Sequence, residues 1–300
     1  MIRKLPGVVI KAVPKPESVI IVGFGSREKV GKICAEAGYK SALLVTDKTV
    51  HSLGYHEKIL DSLNANGIKY AVFNNIASEP TIDIISEGRS AAIRCGADCI
   101  IALGGGSVLD SCKIIAAGAK LPRRSIKNLL GKFIYVGGKT LPIIATPSTA
   151  GTGAEITVAA MVNNAKGTKC STVVIGLNVT HVVLDSELTI GAPESVTVYF
   201  GIDALSHGLE GCLADIKSTE EDMQKSRECV RLVFQNLPRL ITTPDDINAR
   251  RNMSLAAYYG GNAINKQLAG YVHAFAHSIG ALYHIPHGKA IALCLMPVIS

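Results

Sequence analysis

Apolar positions along the chain follow two rhythms. Up to about residue 185, short apolar runs stand at Val19–Val22, Ala42–Val45, Tyr70–Phe73, Cys99–Leu103 and Leu141–Ala145, with strand-like Thr172–Ile175 and His181–Leu184 after them. Between the first of these lie stretches with helical spacing at Arg27–Ala37, Tyr55–Asn64 and Ile82–Cys95. A strand covered by helices on both faces reads as a continuous apolar run, and strands alternating with helices imply βαβ units. From Ser186 the spacing is helical throughout, punctuated by Pro193, Pro238, Pro244 and Pro286. The pattern predicts an α/β domain with a parallel sheet over residues 1–185 and an all-helical domain over residues 186–300.

Composition narrows the function classes. Three hundred residues, 48% hydrophobic and 18% charged, can bury a large core, which excludes a disordered chain and a disulfide-stapled module. The net charge is +7, yet aromatics are 5% and Trp is absent, and the one dense basic stretch (Lys120, Arg123, Arg124, Lys127) is short. That reads as a solvated loop, so no nucleic-acid partner is expected. Eight cysteines lie in apolar segments without paired metal-knuckle spacing, as free thiols of a reducing compartment do. Met1–Gly7 has no apolar core behind its charges and is read as no signal peptide, and no run reaches the ~18 apolar residues of a membrane span. A cytoplasmic protein without a membrane partner is expected. The final segment, Leu293–Ser300, is apolar rather than a polar tail, so a C-terminal truncation is expected as well.

Three segments of the first half suggest a nucleotide. Cys99–Leu103 runs into Gly104, Gly105, Gly106 and Ser107, a strand followed by a glycine turn and a helix start. Glycines permit close backbone approach and positive φ, and a helix N-terminus favours phosphate. Ser107 is expected as the N-cap, with Asp110 three residues on as a variant capping box. Asp47 follows an apolar strand, where an acid can hold ribose hydroxyls and repel the extra phosphate of NADP; a simple turn-forming role is the alternative. Asp47 also lies 22 residues past Gly25, but Gly23-Phe24-Gly25 lacks the third glycine of the dinucleotide fingerprint. Ala145–Glu155 supplies small hydroxylated residues and glycines that can follow a sugar-phosphate backbone or simply form a polar loop. Lys113, one turn past Asp110, reads either as a phosphate or sheet-edge contact or as a surface lysine.

The second half holds five of the eight histidines between 207 and 287. Asp203 and His207 are spaced i, i+4, and so are His273 and His277, so each pair shares a helix face. One carboxylate with several imidazoles is a divalent transition-metal inventory. Spacing leaves open which two of His273, His277, His284 and His287 would complete a four-ligand set with Asp203 and His207.

Gly-Gly-Gly-Ser-x-x-Asp-x-x-Lys (104–113), Thr-Pro-Ser-Thr-Ala-Gly-Thr-Gly-Ala-Glu (146–155), Gly-x-Asp-Ala-Leu-x-His (201–207) and His-x3-His-x9-His (273–287) together resemble the iron-containing (group III) alcohol dehydrogenases. The resemblance covers essentially the whole chain. It implies a dinucleotide-binding α/β domain, a helical metal-binding domain (the dehydroquinate synthase-like fold), and a divalent metal in the cleft between them. Position by position it implies Asp203, His207, His273 and His287 as metal ligands, and His277 as a histidine close to the metal but not bound to it; a proton carrier and a simple orienting group are the two roles open to His277. It implies cofactor contacts at Asp47, Gly104, Gly105, Gly106, Ser107, Thr146, Ser148, Thr149, Thr152 and Lys169. NAD, with Fe²⁺ (or Zn²⁺) as the metal, a small alcohol or aldehyde as substrate, and a homodimer or higher homo-oligomer follow from the same resemblance. Ser78-Glu79-Pro80-Thr81 departs from it, since many members carry Asn before the proline. An NAD-dependent lyase of the dehydroquinate synthase type and a non-catalytic assembly subunit are the competing readings.

Overall fold

The fold was read from a computed structural model that describes residues 17–164, 168–214 and 218–300; Met1–Gly7 lies outside the described residues. Most of the apolar runs of the first half align in one six-stranded sheet. Its strands are β1 (Val19–Val22), β2 (Ser41–Asp47), β3 (Lys69–Ile76), β4 (Cys99–Gly104), β6 (Ile143–Pro147) and β9 (Val179–Leu184), in the order β1-β9-β6-β4-β2-β3. All pairings are parallel. Ala42–Val45 and Cys99–Leu103 have no exposed surface, as central strands covered on both faces require.

The strand order decides where a ligand belongs. From β2 the chain first adds β3 on one side and then β4 on the other, so the topology switches between β2 and β4. In open parallel sheets, ligands bind outside the carboxyl ends of the strands at such a point.

A second, three-stranded sheet was not expected from the sequence. It comprises β5 (Phe133–Tyr135), β7 (Ala159–Asn163) and β8 (Lys169–Ile175), with β8 parallel to β5 and antiparallel to β7. The Thr172–Ile175 run therefore belongs to this sheet and not to the main one. The helices of this unit are α1 (Val30–Glu36), α2 (Lys48–Ser52), α3 (Glu57–Ala65), α4 (Ile82–Arg94), α5 (Gly106–Lys120) and α6 (Ile126–Leu129), with a 3₁₀ turn at Ser26–Lys29. Val30, Cys34, Ile59 and Leu63 pack against Leu44, Ile101, Leu103 and Val183 in its core.

Five helices make the other unit: α7 (Glu194–Leu213), α8 (Glu220–Thr242), α9 (Ile247–Gln267), α10 (Tyr271–Tyr283) and α11 (His287–Ile299). Ala204, Cys229, Val233, Leu237, Met253, Ala256, Ala276 and Ile291 form its core. A capping box between Thr219 and Asp222 starts α8. Pro238, expected to end a helix, lies inside α8 instead. Its missing N–H frees one carbonyl, on the turn that carries the 64% exposed Phe234, where water can satisfy it. Pro193 and Pro286 do stand at helix starts, as the N-caps of α7 and α11.

The chain divides into compact units at two places. Ala154–Leu188 clusters with the sheet residues up to Ser148, whereas Thr149–Gly153 clusters with Thr189–Ser300. Gly153 explains the second assignment: it has φ +61°, and an added Cβ would stand 2.4 Å from the Gly261 Cα on α9. Among the described residues no helix is long and apolar enough to cross a membrane.

Candidate active site

Three of the expected cofactor segments stand at the carboxyl ends of neighbouring strands. Val45 pairs with Ala102, so Asp47 and Gly104 each lie two residues beyond the same rung, on β2 and β4. Leu103 pairs with Thr146 and Gly104 with Pro147, which brings the end of β6 alongside. Ser148 follows and donates its backbone N–H to the Gly104 carbonyl at 3.0 Å. Thr146 is fully buried and its hydroxyl finds no partner among the described residues.

The glycine turn is built differently from expectation. Helix α5 begins at Gly106 with Gly105 as its N-cap, and no side chain caps it. Ser107 lies inside the first turn and donates its hydroxyl to the Ser78 carbonyl at 2.6 Å, so the Ser107/Asp110 capping box does not form. None of Gly104, Gly105 and Gly106 has positive φ. Closeness is the reason at Gly104, where an added Cβ would strike Val108 Cγ2 at 2.5 Å. An uncapped N-terminus on a 15-residue helix leaves first-turn N–H groups and the positive dipole end for an anion.

Asp47 is half-buried and caps α2 by accepting from the Val50 N–H at 2.8 Å through Oδ1. Lys113 is not a surface lysine. It is 2% exposed, and its ammonium donates to Asp110 Oδ1 (2.8 Å), Thr157 Oγ1 (2.9 Å) and the Ala159 carbonyl (2.7 Å), tying α5 to β7. The Gly23–Gly25 turn is filled by protein: Asp185 accepts from the backbone N–H of Gly25 (2.9 Å) and Arg27 (3.1 Å) and pairs with the Arg27 guanidinium (2.8 Å). A carboxylate therefore occupies the place where a dinucleotide fingerprint would receive phosphate. Thr149 and Thr152 fall in the segment that joins the helical unit, and Lys169 starts β8.

The helical unit gathers the histidines. Asp203 and His207 lie one turn apart on α7, His273 near the start of α10, and His287 on the first residue of α11. The Nε2 atoms of His273, His207 and His287 stand 3.4, 3.6 and 3.6 Å from a single atom, Asp203 Oδ1. Donors held about 2.1 Å from one ion in a tetrahedron are spaced about 3.4 Å apart, and the three separations from Asp203 Oδ1 are of that size. Asp203, His273 and His287 each offer a ligand atom within 4.8 Å of the others, and His207, expected as a fourth ligand, stands outside this group of mutually close donors. Asp203 Oδ1 and His273 Nε2 are buried without a hydrogen-bond partner among the described residues, an arrangement that asks for a positive ion.

The remaining histidines sort themselves by position. His277 lies one turn past His273 and its ring stacks on His287 (centroids 4.7 Å, 17°), away from the Asp203 oxygen contacts. His284 is exposed and ends α10 in the left-handed conformation (φ 54°), so it is not brought to Asp203.

Burial alone would raise the Asp203 carboxyl, but His207, His273 and His287 outweigh it and hold it well below the usual range. Burial pushes His207 down to about 4. Burial also opposes charge on His273, yet the Asp203 and Glu210 carboxylates lift it to about 9. Glu210, which the sequence reading passed over, is 6% exposed and accepts from His273 Nδ1 at 2.6 Å. Its position three residues after His207 on one helix face was the available signal.

A nucleotide-type α/β unit and a helical unit carrying a carboxylate-and-imidazole cluster define a metal-dependent, nucleotide-linked oxidoreductase. The family described as iron-containing alcohol dehydrogenase matches residues 16–186, and its C-terminal counterpart matches residues 197–300. The chain belongs to the iron-containing alcohol dehydrogenase family. It is 31% identical over 276 residues to a lactaldehyde reductase of Escherichia coli K12, covering 91% of this chain and 71% of the relative. It is 34% identical over 275 residues to a 1,3-propanediol dehydrogenase of Klebsiella pneumoniae, covering 89% and 69%. The crystal structure of a sulfoacetaldehyde reductase from Bifidobacterium kashiwanohense in complex with NAD⁺ superposes with a TM-score of 0.86 at 28% identity, covering 94% and 74%.

Proposed function

We propose that this chain is an NAD(H)-linked, metal-dependent dehydrogenase that moves a hydride between a small alcohol or aldehyde and nicotinamide. The convergence of three imidazole Nε2 atoms on one buried carboxylate oxygen carries this reading. Asp203, His207, His273 and His287 would hold a divalent cation, iron in the cell with zinc as a substitute. When bound, that cation supplies Lewis acidity toward an alcohol or carbonyl oxygen. The ligand set brings a single negative charge to a doubly charged ion, so the site keeps a positive field that favours negative charge on the reacting oxygen. His277, exposed and stacked on His287, would pass the hydroxyl proton to solvent or simply orient its neighbour.

On the sheet unit, Asp47, Gly104, Gly105, Gly106, Ser107, Thr146 and Ser148 would hold NAD, whose chemistry is to accept or return the hydride. The pyrophosphate belongs at the uncapped start of α5, and Asp47 at the ribose, where it repels the 2′-phosphate of NADP. Thr149, Thr152 and Lys169 are assigned as further contacts on the family pattern. Support for NAD comes from the sulfoacetaldehyde reductase complex, and support for a small substrate from the relatives named above. A cytoplasmic setting suits the eight free cysteines, and a homodimer is the expected assembly, checked by sedimentation velocity.

The experiment is anaerobic purification, elemental analysis, and NADH oxidation with a panel of short aldehydes. Asp203→Ala and His273→Ala should each abolish turnover while NADH still binds. Near-full activity in either variant refutes the assignment.

A further inference from the structure

Glu210 is bonded to a proposed metal ligand through both of its oxygens. It stands seven residues after Asp203 and three after His207 on α7, so helical periodicity puts all three on one stripe. Oε2 accepts from His273 Nδ1 at 2.6 Å, and Oε1 accepts from the His273 backbone N–H at 3.3 Å. The second contact satisfies a first-turn donor of α10, whose N-cap is Gly270 and has no side chain to do so. Gly270 also makes the approach possible, because an added Cβ would stand 2.9 Å from Glu210 Oε1. His207 is held less completely: its Nδ1 is buried and has no hydrogen-bond partner among the described residues.

A neutral imidazole carries one proton, and the nitrogen that donates it cannot also be a ligand. With the proton on Nδ1 and directed at Glu210, the lone pair of His273 lies on Nε2, the atom 3.4 Å from Asp203 Oδ1. We infer that Glu210 is the positioning residue of the metal centre: one carboxylate both anchors the start of α10 and fixes the tautomer and orientation of His273, and so sets metal affinity. This rests on the reading that Asp203, His207, His273 and His287 hold a divalent cation.

The test measures binding, not turnover. Metal-free protein is titrated with Co²⁺ against a competing chelator, comparing wild type, Glu210→Gln and Asp203→Asn. Glutamine keeps the length and an acceptor for the backbone N–H, but its amide hydrogens favour the proton of His273 on Nε2. Co²⁺ affinity should fall roughly 10–100-fold in Glu210→Gln, with an altered visible spectrum and a nearly unchanged melting temperature of the metal-free protein. Wild-type affinity in Glu210→Gln overturns the inference. If Asp203→Asn also binds Co²⁺ like wild type, the metal site itself has failed. Should Glu210→Gln not fold, ¹⁵N NMR of zinc-loaded wild type decides: a slowly exchanging Nδ1–H on His273 supports the role, and rapid exchange or zinc on Nδ1 overturns it.

Discussion

Lys113→Met offers a test of a motif residue that looks like a cofactor contact and is built as a strut. All three ammonium hydrogens of Lys113 have protein acceptors at 2.7–2.9 Å, so none is left for a phosphate. Methionine retains the unbranched apolar stem, which limits the packing loss. What remains is Asp110, 8% exposed, whose carboxylate keeps, among the described residues, the Met161 backbone N–H at 2.8 Å. Removing one partner of a buried pair costs about 3–5 kcal/mol because the other charge stays buried. The double variant Asp110→Asn/Lys113→Met removes both charges and leaves a few ordinary hydrogen bonds unmade, at about 0.5–1.5 kcal/mol each. The double variant should therefore cost clearly less than the two single variants together, as two groups of one buried ion pair require. Because the chain has two compact units, hydrogen exchange of the α5 amides is the suitable assay, since it reads opening of that region alone. NADH affinity of the folded variant should stay within a few-fold of wild type. A stability loss under about 1 kcal/mol, or a large loss of NADH affinity in a protein of unchanged protection, would refute the strut argument.

Other expectations follow from single contacts. Gly153→Ala places a side chain at φ +61° with its Cβ 2.4 Å from the Gly261 backbone, so the helical unit should lose at least the ~1–3 kcal/mol of a strained residue, seen as a lowered melting temperature. Glu155 is buried and its carboxyl is raised from 4.5 to about 7 by desolvation; it folds neutral but unfolds ionised within that window. Stability should therefore fall as pH rises from about 4.5 to about 7, and Glu155→Gln should flatten that slope in denaturant titrations. Chelation should lower the melting temperature of the wild type, by the equivalent of about 2.7 kcal/mol if the metal had been present at a hundredfold over its Kd, and should leave Asp203→Asn unmoved.

Much of the chemistry was legible because it is local. The i, i+4 pairing of Asp203 with His207 needs only helical geometry, and the glycine turn after Cys99–Leu103 needs only a strand and a helix start. Spacing alone makes Ser107 and Asp110 a capping pair, whereas the Ser107 hydroxyl goes to the Ser78 carbonyl, 29 residues away, and Gly105 is the N-cap. Lys113 is ambiguous for the same reason: its partners are Ala159, at the start of β7, and Thr157 just before it, in a sheet that short, mixed runs do not announce.

Spacing along the chain thus determined that an α/β half precedes a helical half, and which residue types could bind a nucleotide and an ion. Tertiary structure decided that β2 and β4 meet at the switch point, so that Asp47 and Gly104 each follow the Val45–Ala102 rung by two residues. It also decided that His273 and His287, not His284, reach the Asp203 oxygen, and that Glu210 stands behind His273. Periodicity fixes which face a side chain takes on its own element. Which faces meet depends on packing between residues some 60 to 80 positions apart, and no local pattern encodes that.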